Sequence, residues 1–177
     1  LAANYSNVTI QGGGTKNMLG SIVVGGNLTL TSSTLNVAGF NITLGGNWTN
    51  TANNTVSNLG TVTLIGTGAQ TITRSTTEVF NILNSSSTGT VTLATDILTT
   101  GNFSVTSGTF DVSATNFAMD VRGNFTHSGG TFNARAGTVT MGGSAAQTIG
   151  GAALTQFFNL TCNNSAGVSL TAAKQIL

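Results

Sequence analysis

Apolar residues recur along this chain at a spacing near twenty, and each stands in a short stretch where apolar and polar residues alternate. Alternation with a period of two is typical of a β-strand that buries one face. The first column of such positions comprises Ile22, Ile42, Val62, Ile82, Ile97, Met119, Val139, Leu160 and Ile176. The second comprises Leu28, Trp48, Ile72, Val91, Phe103, Phe125, Ile149 and Val168. The third comprises Leu35, Val37, Val56, Leu59, Val79, Phe80, Phe110, Val112, Phe132, Phe157 and Phe158.

Three columns predict three inward strands per coil. The pattern therefore indicates an all-β fold, a right-handed parallel β-solenoid with a triangular cross-section, which spans residues 1–177 as a single domain. We expect about eight coils of about 15–22 residues, of which two short ones, beginning at Ile82 and Leu160, lack the third strand. A two-sheet antiparallel sandwich also has short strands with frequent turns, but it does not require the same kind of side chain every twenty residues.

A longer repeat contains the shorter one. Residues 20–98 return as residues 99–177, and residues 1–19 are interpreted as the end of a preceding repeat. The clearest matches pair 46–49 (GNWT) with 123–126 (GNFT), 60–64 (GTVTL) with 137–141 (GTVTM), and 70–72 with 147–149 (both QTI). Because neither end shows an atypical polar cap, we expect both ends to be met by more β-structure, either further repeats of the same polypeptide or the next subunit.

Composition supports the all-β interpretation and excludes several functions. Charged residues make up 5% of the chain, against about a quarter in typical soluble domains, and proline is absent. Proline cannot donate to a strand ladder, so its absence fits a chain whose backbone amides are paired on both sides. Five scattered basic residues give no nucleic-acid footprint, and no apolar run is long enough for a membrane span.

The repeated string resembles units of giant, repeat-rich secreted bacterial surface proteins. It consists of GTVTL, a turn, QTI, a second turn and FN followed by Ile or Leu, as in 60–82 and 137–160. More loosely, it is similar to the β-helical shafts of filamentous haemagglutinins and autotransporter passengers. The resemblance covers essentially the whole chain and implies export and a cell-surface or extracellular location. Its motifs are structural, so it implies no catalytic residue and no cofactor.

Residues that could carry chemistry are few and scattered. The acidic residues are Glu78, Asp96, Asp111 and Asp120. Because carbohydrate-active sites need clustered carboxylates and these stand apart, they are interpreted as solvated structural acids. Asp120 is expected to pair with Arg122. His127 is expected in an exposed turn, and Arg74, Arg122 and Arg135 are expected to point outward. Cys162 is interpreted as a small buried hydrophobe, with a reactive or intermolecular thiol as the alternative. We predict no catalytic or metal site and no polysaccharide hydrolase or lyase activity.

Two polar patterns recur. The glycosylation signature Asn-x-Ser/Thr occurs eleven times, and Asn27, Asn47, Asn102, Asn124 and Asn159 are the candidate N-glycosylation sites. Asn at fixed corners followed by alternating Thr would create the same pattern without any sugar. Thr-x-Thr pairs raise the possibility of an ice-binding face, but the residues that follow the first column include Leu83, Leu98 and Asp120, which interrupt such a face.

These observations favour a structural repeat module of an extracellular filament, sheath or surface appendage that assembles end to end with itself. An adhesin stalk that binds surface glycans or another cell is the main alternative. An ice-binding or carbohydrate-active β-helix is a further one.

Overall fold

The computed structural model describes residues 2–51, 56–57, 60–171 and, for the backbone alone, 174–176, and these residues form short strands and turns. The first strands are β1 (Ala3–Tyr5), β2 (Val8–Ile10), β3 (Thr15–Asn17), β4 (Ile22–Val24), β5 (Leu28–Leu30), β6 (Thr34–Asn36), β7 (Ile42–Leu44), β8 (Trp48–Asn50) and β9 (Val56–Ser57). The next are β10 (Thr61–Leu64), β11 (Gln70–Arg74), β12 (Glu78–Phe80), β13 (Ile82–Ser85), β14 (Thr90–Leu93), β15 (Ile97–Thr99), β16 (Phe103–Val105), β17 (Thr109–Asp111) and β18 (Met119–Val121). The last are β19 (Phe125–His127), β20 (Thr131–Asn133), β21 (Thr138–Met141), β22 (Gln147–Gly150), β23 (Thr155–Phe157), β24 (Asn159–Cys162), β25 (Val168–Leu170) and β26 (Lys174–Ile176).

Every third strand belongs to the same face, so the chain winds through three faces per coil. The first face is the sheet β1-β4-β7-β10-β13-β16-β19-β22-β25. The second face holds β2-β5-β8-β11-β14-β17-β20 and then β23-β26, and the third holds β3-β6-β9 and then β12-β15-β18-β21-β24. All pairings between neighbouring strands are parallel, as in the register Ile22–Ile42–Val62. The predicted all-β parallel solenoid of about eight coils is confirmed.

The predicted short coils are wrong. The coil that begins at Ile82 has three strands, β13, β14 and β15, so Ile97 lies on the third face instead of opening a new coil. Partner residues in adjacent coils are 19 to 24 positions apart, from Ala3 and Ile22 to Phe125 and Ile149, which replaces the predicted lower limit of about 15. In the strand that contains Ile82, the inward and outward positions are also exchanged relative to the prediction, because the buried residue is Leu83.

The predicted columns therefore join residues of different faces. Ile22, Ile42 and Val62 are stacked on the first face, whereas Ile97, Met119, Val139 and Leu160 are stacked on the third. The predicted inward orientation is correct for Ile42, Val62 and Val139, which are buried, and for Leu160, which is partly buried against the same core. It is wrong for Phe158 of the third column, which is 46% exposed beside fully buried Phe157. Leu59 lies outside the described residues.

The long repeat turns by one face from one copy to the next. Its matched strands are eleven apart in the chain, as β5 and β16, β8 and β19, and β10 and β21 show. Eleven strands are one short of four full coils, so an equivalent strand arrives on the neighbouring face. Trp48 on the second face and Phe125 on the first are such equivalents, and both are fully buried as predicted.

Aromatic rings fill the interior of the second half. Phe103 contacts Phe110 at a ring-centroid distance of 4.9 Å, and Phe125 contacts Phe132 at 5.1 Å and Phe157 at 5.3 Å. These edge-on pairs lie within the range in which aromatic rings attract beyond simple burial. Residues that neighbour across coils thus form one continuous core from Val24 to Phe157.

The core is exposed at the two terminal coils. Tyr5 occupies an inward register position, as the partner of buried Val24, but its exposure is 48%. At the other end Leu170, the partner of buried Ile149, is 55% exposed. Beside Tyr5 an open cavity of about 560 Å³ is lined by Val8, Ile10 and Met18. The inward side chains of the first and last described coils are therefore covered on one side only.

Candidate functional site

Asparagine side chains form ladders at one corner of the coils. The Oδ1 of Asn27 accepts a hydrogen bond from the backbone N–H of Asn47 at 2.8 Å, and the Oδ1 of Asn47 accepts one from Thr71 at 2.8 Å. In the second repeat Asn102 accepts from the N–H of Asn124, and Asn124 accepts from that of Thr148, both at 2.8 Å. Each side chain thus satisfies a corner amide of the following coil that the strand ladders do not reach.

These ladders contain four of the five candidate glycosylation sites. Asn27 and Asn102 are exposed and Asn47 and Asn124 are half-buried, while Asn159 is exposed and donates from Nδ2 to the carbonyl of Ala136 at 3.3 Å. These hydrogen bonds explain the presence of asparagine at these corners without glycosylation. Glycosylation of the five residues stays a prediction. The further signature at Asn53 lies outside the described residues.

Glu78 is the centre of a buried polar cluster. Its Oε2 accepts hydrogen bonds from Trp48 Nε1 at 3.0 Å and Asn50 Nδ2 at 3.2 Å, and its Oε1 accepts from Arg74 Nη1 at 2.9 Å. The side chain of Glu78 is fully buried and that of Arg74 is 13% exposed. The predictions of a solvated Glu78 and an outward Arg74 are therefore wrong. The cluster is a buried ion pair, which is a structural arrangement because the carboxylate faces the interior.

The second repeat has a cluster without a carboxylate at the same place. His127 corresponds to Asn50 and Thr155 to Glu78, with the same separation of 28 positions in each pair. The Nδ1 of His127 lies 3.1 Å from Thr155 Oγ1, and its Nε2 lies 3.2 Å from the carbonyl oxygen of Gly130. Since His127 is 2% exposed and lies on β19, the prediction of an exposed turn histidine is wrong.

Two glutamines hold equivalent turns of the two repeats, one between β10 and β11 and the other between β21 and β22. Gln70 Nε2 donates to the carbonyls of Leu44 at 3.2 Å and Gly46 at 2.7 Å, while its Oε1 accepts from the N–H of Gly66 at 2.8 Å. Gln147 repeats these bonds in the second copy, with Val121 and Gly123 as acceptors and Gly143 as donor. The sequence showed the repeated QTI string but not its role. The only signal for this role in the sequence was that glutamine recurs at a position where the strand alternation predicts an apolar residue.

The three aspartates lie apart and each has a partner, but Asp111 is only 7% exposed, so the prediction of a solvated side chain is wrong for this residue. Asp111 on the second face binds Arg135 at 2.5 and 2.6 Å, and the hydrogen bond from Arg135 lowers the pKa of Asp111 below its ordinary value of 3.8. Asp120 on the third face pairs with Arg122 at 3.2 Å, which confirms the predicted local pair. Arg122 and Arg135 have side-chain exposures of 49% and 41%, in agreement with the outward prediction.

One shallow groove on the third face, about 260 Å³ in volume, is lined by both Asp96 and Asp120. Asp96 accepts a hydrogen bond from the N–H of Ala118 at 2.8 Å, so both carboxylates already have structural partners. Within the described ranges no three His, Cys, Asp or Glu side chains come close enough to hold a metal ion.

Cys162 is exposed, so the prediction of a buried cysteine is wrong. It is the register partner of fully buried Met141, and its position is therefore an inward one. The thiol is exposed because β24 belongs to the last described coil. It lies on the third face, whereas His127 lies on the first, so the structure does not bring the two together.

Threonines form an outward ladder on the second face. Thr9, Thr29, Thr49 and Thr73 are consecutive register partners on β2, β5, β8 and β11. A second set, Thr90, Thr109 and Thr131, follows on β14, β17 and β20. Beside the first column, Leu83 and Asp120 interrupt any such ladder. The ladder is instead beside the second column, and the register of the coils reveals it.

The comparisons with known proteins do not identify the chain beyond its structural class. No family model matches the chain, no curated protein resembles it significantly, and no solved structure does. In the described part of the chain there is no helix long and apolar enough to cross a membrane. The fold itself defines the chain as a repeat protein of the parallel β-solenoid class.

Proposed function

We propose that this chain is a structural repeat module of an extracellular filament, sheath or surface appendage. The observation that carries the proposal is the regular stack of parallel coils, in which one continuous core runs from Val24 to Phe157 and the turn contacts of Gln70 recur at Gln147. The strand edges of a coil carry N–H and C=O groups that template the addition of further strands. Such a stack can be extended by further coils without any change in its cross-section.

The proposed mode of assembly is end-to-end β-stacking with further copies of the same module. In a solenoid each coil gains stability from its neighbours, so stability grows approximately as a sum of coil interfaces. Contact between two different ends does not close on itself and builds a fibre. The proposal places the fibre outside the cell, in line with the resemblance to secreted surface proteins and with the near absence of charge. An adhesin stalk that binds surface glycans would use the same shaft.

Assembly is tested on the purified chain by sedimentation velocity and electron microscopy over a range of concentrations. We expect fibres or end-to-end oligomers in which Cys162 reacts more slowly with a maleimide than in dilute protein. The variant Tyr5→Lys places a charge at an inward position of the first described coil and should prevent assembly. Its matched control, Thr63→Lys, places the charge on the outside of a middle coil and should not. A dispersed monomer at all concentrations, with a freely reactive Cys162, would refute the proposal.

A second candidate function, ice binding, is favoured by one observation, the in-register threonine ladder on the second face. Its hydroxyl groups recur at the spacing of neighbouring strands, about 4.8 Å. The ladder is uncharged along Thr9, Thr29, Thr49 and Thr73, and regular hydroxyl and methyl groups are the chemistry that orders water.

This candidate is tested by thermal hysteresis and by partition into growing ice. We expect activity that falls when Thr49→Tyr interrupts the ladder and persists in Thr140→Tyr, which alters the outer side of the third face. If the unaltered chain shows neither thermal hysteresis nor partition into ice, ice binding is eliminated and the fibre proposal is unaffected.

A further inference from the structure

The groove on the third face lies on the side of the shaft, over the middle strands β15 and β18. Ile97 pairs with Met119 and Leu98 pairs with Asp120, so Asp96 and Asp120 occupy diagonal positions on adjacent strands. Diagonal neighbours in a sheet have Cα atoms about 7–8 Å apart. The two carboxylates therefore flank a groove of about 260 Å³.

Both carboxylates can accept further hydrogen bonds. Asp96 is exposed, and the N–H of Ala118 occupies its Oδ1, while its Oδ2 has no hydrogen-bond partner among the described residues. Asp120 accepts one bond, at Oδ2 from Arg122, and its Oδ1 is buried without a partner among them. The structure describes all four acidic side chains, and Asp96 is the only one of them without an ion pair. The groove therefore has a negative charge that no basic side chain compensates.

The rest of the groove combines an apolar surface with hydroxyl groups. Leu98 is half-buried beside its register partner Val79, which is also half-buried. Thr77 and Thr140 line the same groove and supply hydroxyl groups. Apolar lining with a few polar groups that fix orientation is typical of a small-molecule site, and pockets for drug-sized ligands begin at about 300 Å³. A slightly smaller groove suits a ligand of one ring, such as a pyranose, whose C–H face is apolar and whose edge carries hydroxyl groups.

We propose that this groove binds one pyranose unit of a cationic amino sugar, as present in polysaccharides with free amino groups. The ammonium group donates to Asp96 and Asp120, and the C–H face of the ring lies against Leu98. Charge-assisted hydrogen bonds to carboxylates are stronger than neutral ones, which favours an ammonium group over a hydroxyl group at this place. In the described part of the chain no third His, Cys, Asp or Glu side chain joins the two carboxylates, as a metal ion would require. The site goes beyond end-to-end assembly and does not depend on it.

The test is a nuclear magnetic resonance titration of the full chain with a glucosamine oligosaccharide at neutral pH, followed at the backbone amides of 96–98 and 118–120. The N-acetylated form of the same oligosaccharide is the ligand control, because it has the same rings without the charge. Asp96→Asn removes the unpaired charge and keeps an acceptor for the N–H of Ala118, and Leu98→Lys places a cation in the groove. Asp111→Asn is the control variant, because it removes a carboxylate on the second face. Circular dichroism verifies that each variant is folded.

We expect the glucosamine oligosaccharide to shift these amide signals and the N-acetylated form to bind about tenfold more weakly or less. Asp96→Asn should weaken binding by a similar factor, Leu98→Lys should abolish it, and Asp111→Asn should leave it unchanged. Absence of binding to the unaltered chain, equal binding of both oligosaccharides, or full binding by Asp96→Asn would overturn the inference. So would a lysine-rich peptide that binds the groove where the oligosaccharide does not, because the partner would then be a protein. None of these outcomes bears on fibre formation, since these substitutions alter neither terminal coil.

Discussion

Replacing Glu78 by alanine should cost more stability than any other single polar change in the first repeat. The substitution removes the acceptor of four donors: Trp48 Nε1, Asn50 Nδ2, the guanidinium of Arg74 and the backbone N–H of Val79. A buried donor left without a partner costs about 1–3 kcal/mol. A buried ion pair that loses one member costs about 3–5 kcal/mol, because the remaining charge stays out of water. These costs overlap, so we expect Glu78→Ala to lower the free energy of unfolding by about 3–5 kcal/mol.

The assay is equilibrium unfolding in urea, followed by circular dichroism and by the fluorescence of Trp48, the only tryptophan. The matched control is Thr155→Ala, the equivalent position in the second repeat, which removes one hydrogen bond with His127 and should cost about 1 kcal/mol. The double variant Arg74→Met with Glu78→Leu should recover much of the loss, since it leaves no unpaired charge. A loss below about 1 kcal/mol for Glu78→Ala, or no recovery in the double variant, would refute the reasoning.

Three further predictions follow from the packing and the ion pairs. Val62→Ala, at a buried position, should cost about 2–3 kcal/mol in the same urea assay, whereas the outward Thr63→Ala should change the result by less than about 0.5 kcal/mol. Gln147→Leu should destabilise the chain because two buried carbonyls and one N–H lose their partner, and unchanged stability would show that water replaces the side chain. The lowered pKa of Asp111 means that its contribution is complete above the ordinary carboxyl value of 3.8 and is lost as the pH falls through the lower, folded pKa; Asp111→Asn should flatten that part of the stability profile, and an unaltered profile would contradict the assignment.

The fold class could be predicted from the sequence, but the face of each strand could not. Alternation with a period of two and recurrence near twenty specify inward strands and stacked coils, and both features are local. The assignment of Ile97 to the first face failed because an inward aliphatic residue has the same pattern on every face. Leu83 was misplaced because 82–84 (ILN) contains two adjacent apolar residues, and only the pairing with Val62 on one side and Phe103 on the other decides between them.

The polar interior could not be predicted for a different reason. Glu78, His127 and Gln70 are residues that single-sequence rules place on the surface, since burial is favourable only when partners are present. Their partners lie 28, 28 and 26 positions away, one coil back or forward, so the sequence alone does not reveal them. Cys162 was wrongly predicted to be buried for the opposite reason. Its position faces inward, as the pattern indicates, but it lies in the last described coil, where no further coil covers it.

The one-face turn of the long repeat gives the module a screw symmetry. Three successive repeats contain thirty-three strands, which complete eleven coils, so equivalent residues return to the same face after roughly 50 Å of axial rise. A motif carried once per repeat, such as the corner that holds Asn47 and Asn124, would trace a spiral around an extended array and face a different direction in each unit. An array built in this way displays every repeated surface feature in three directions, so it has no single functional side and can be approached from any angle.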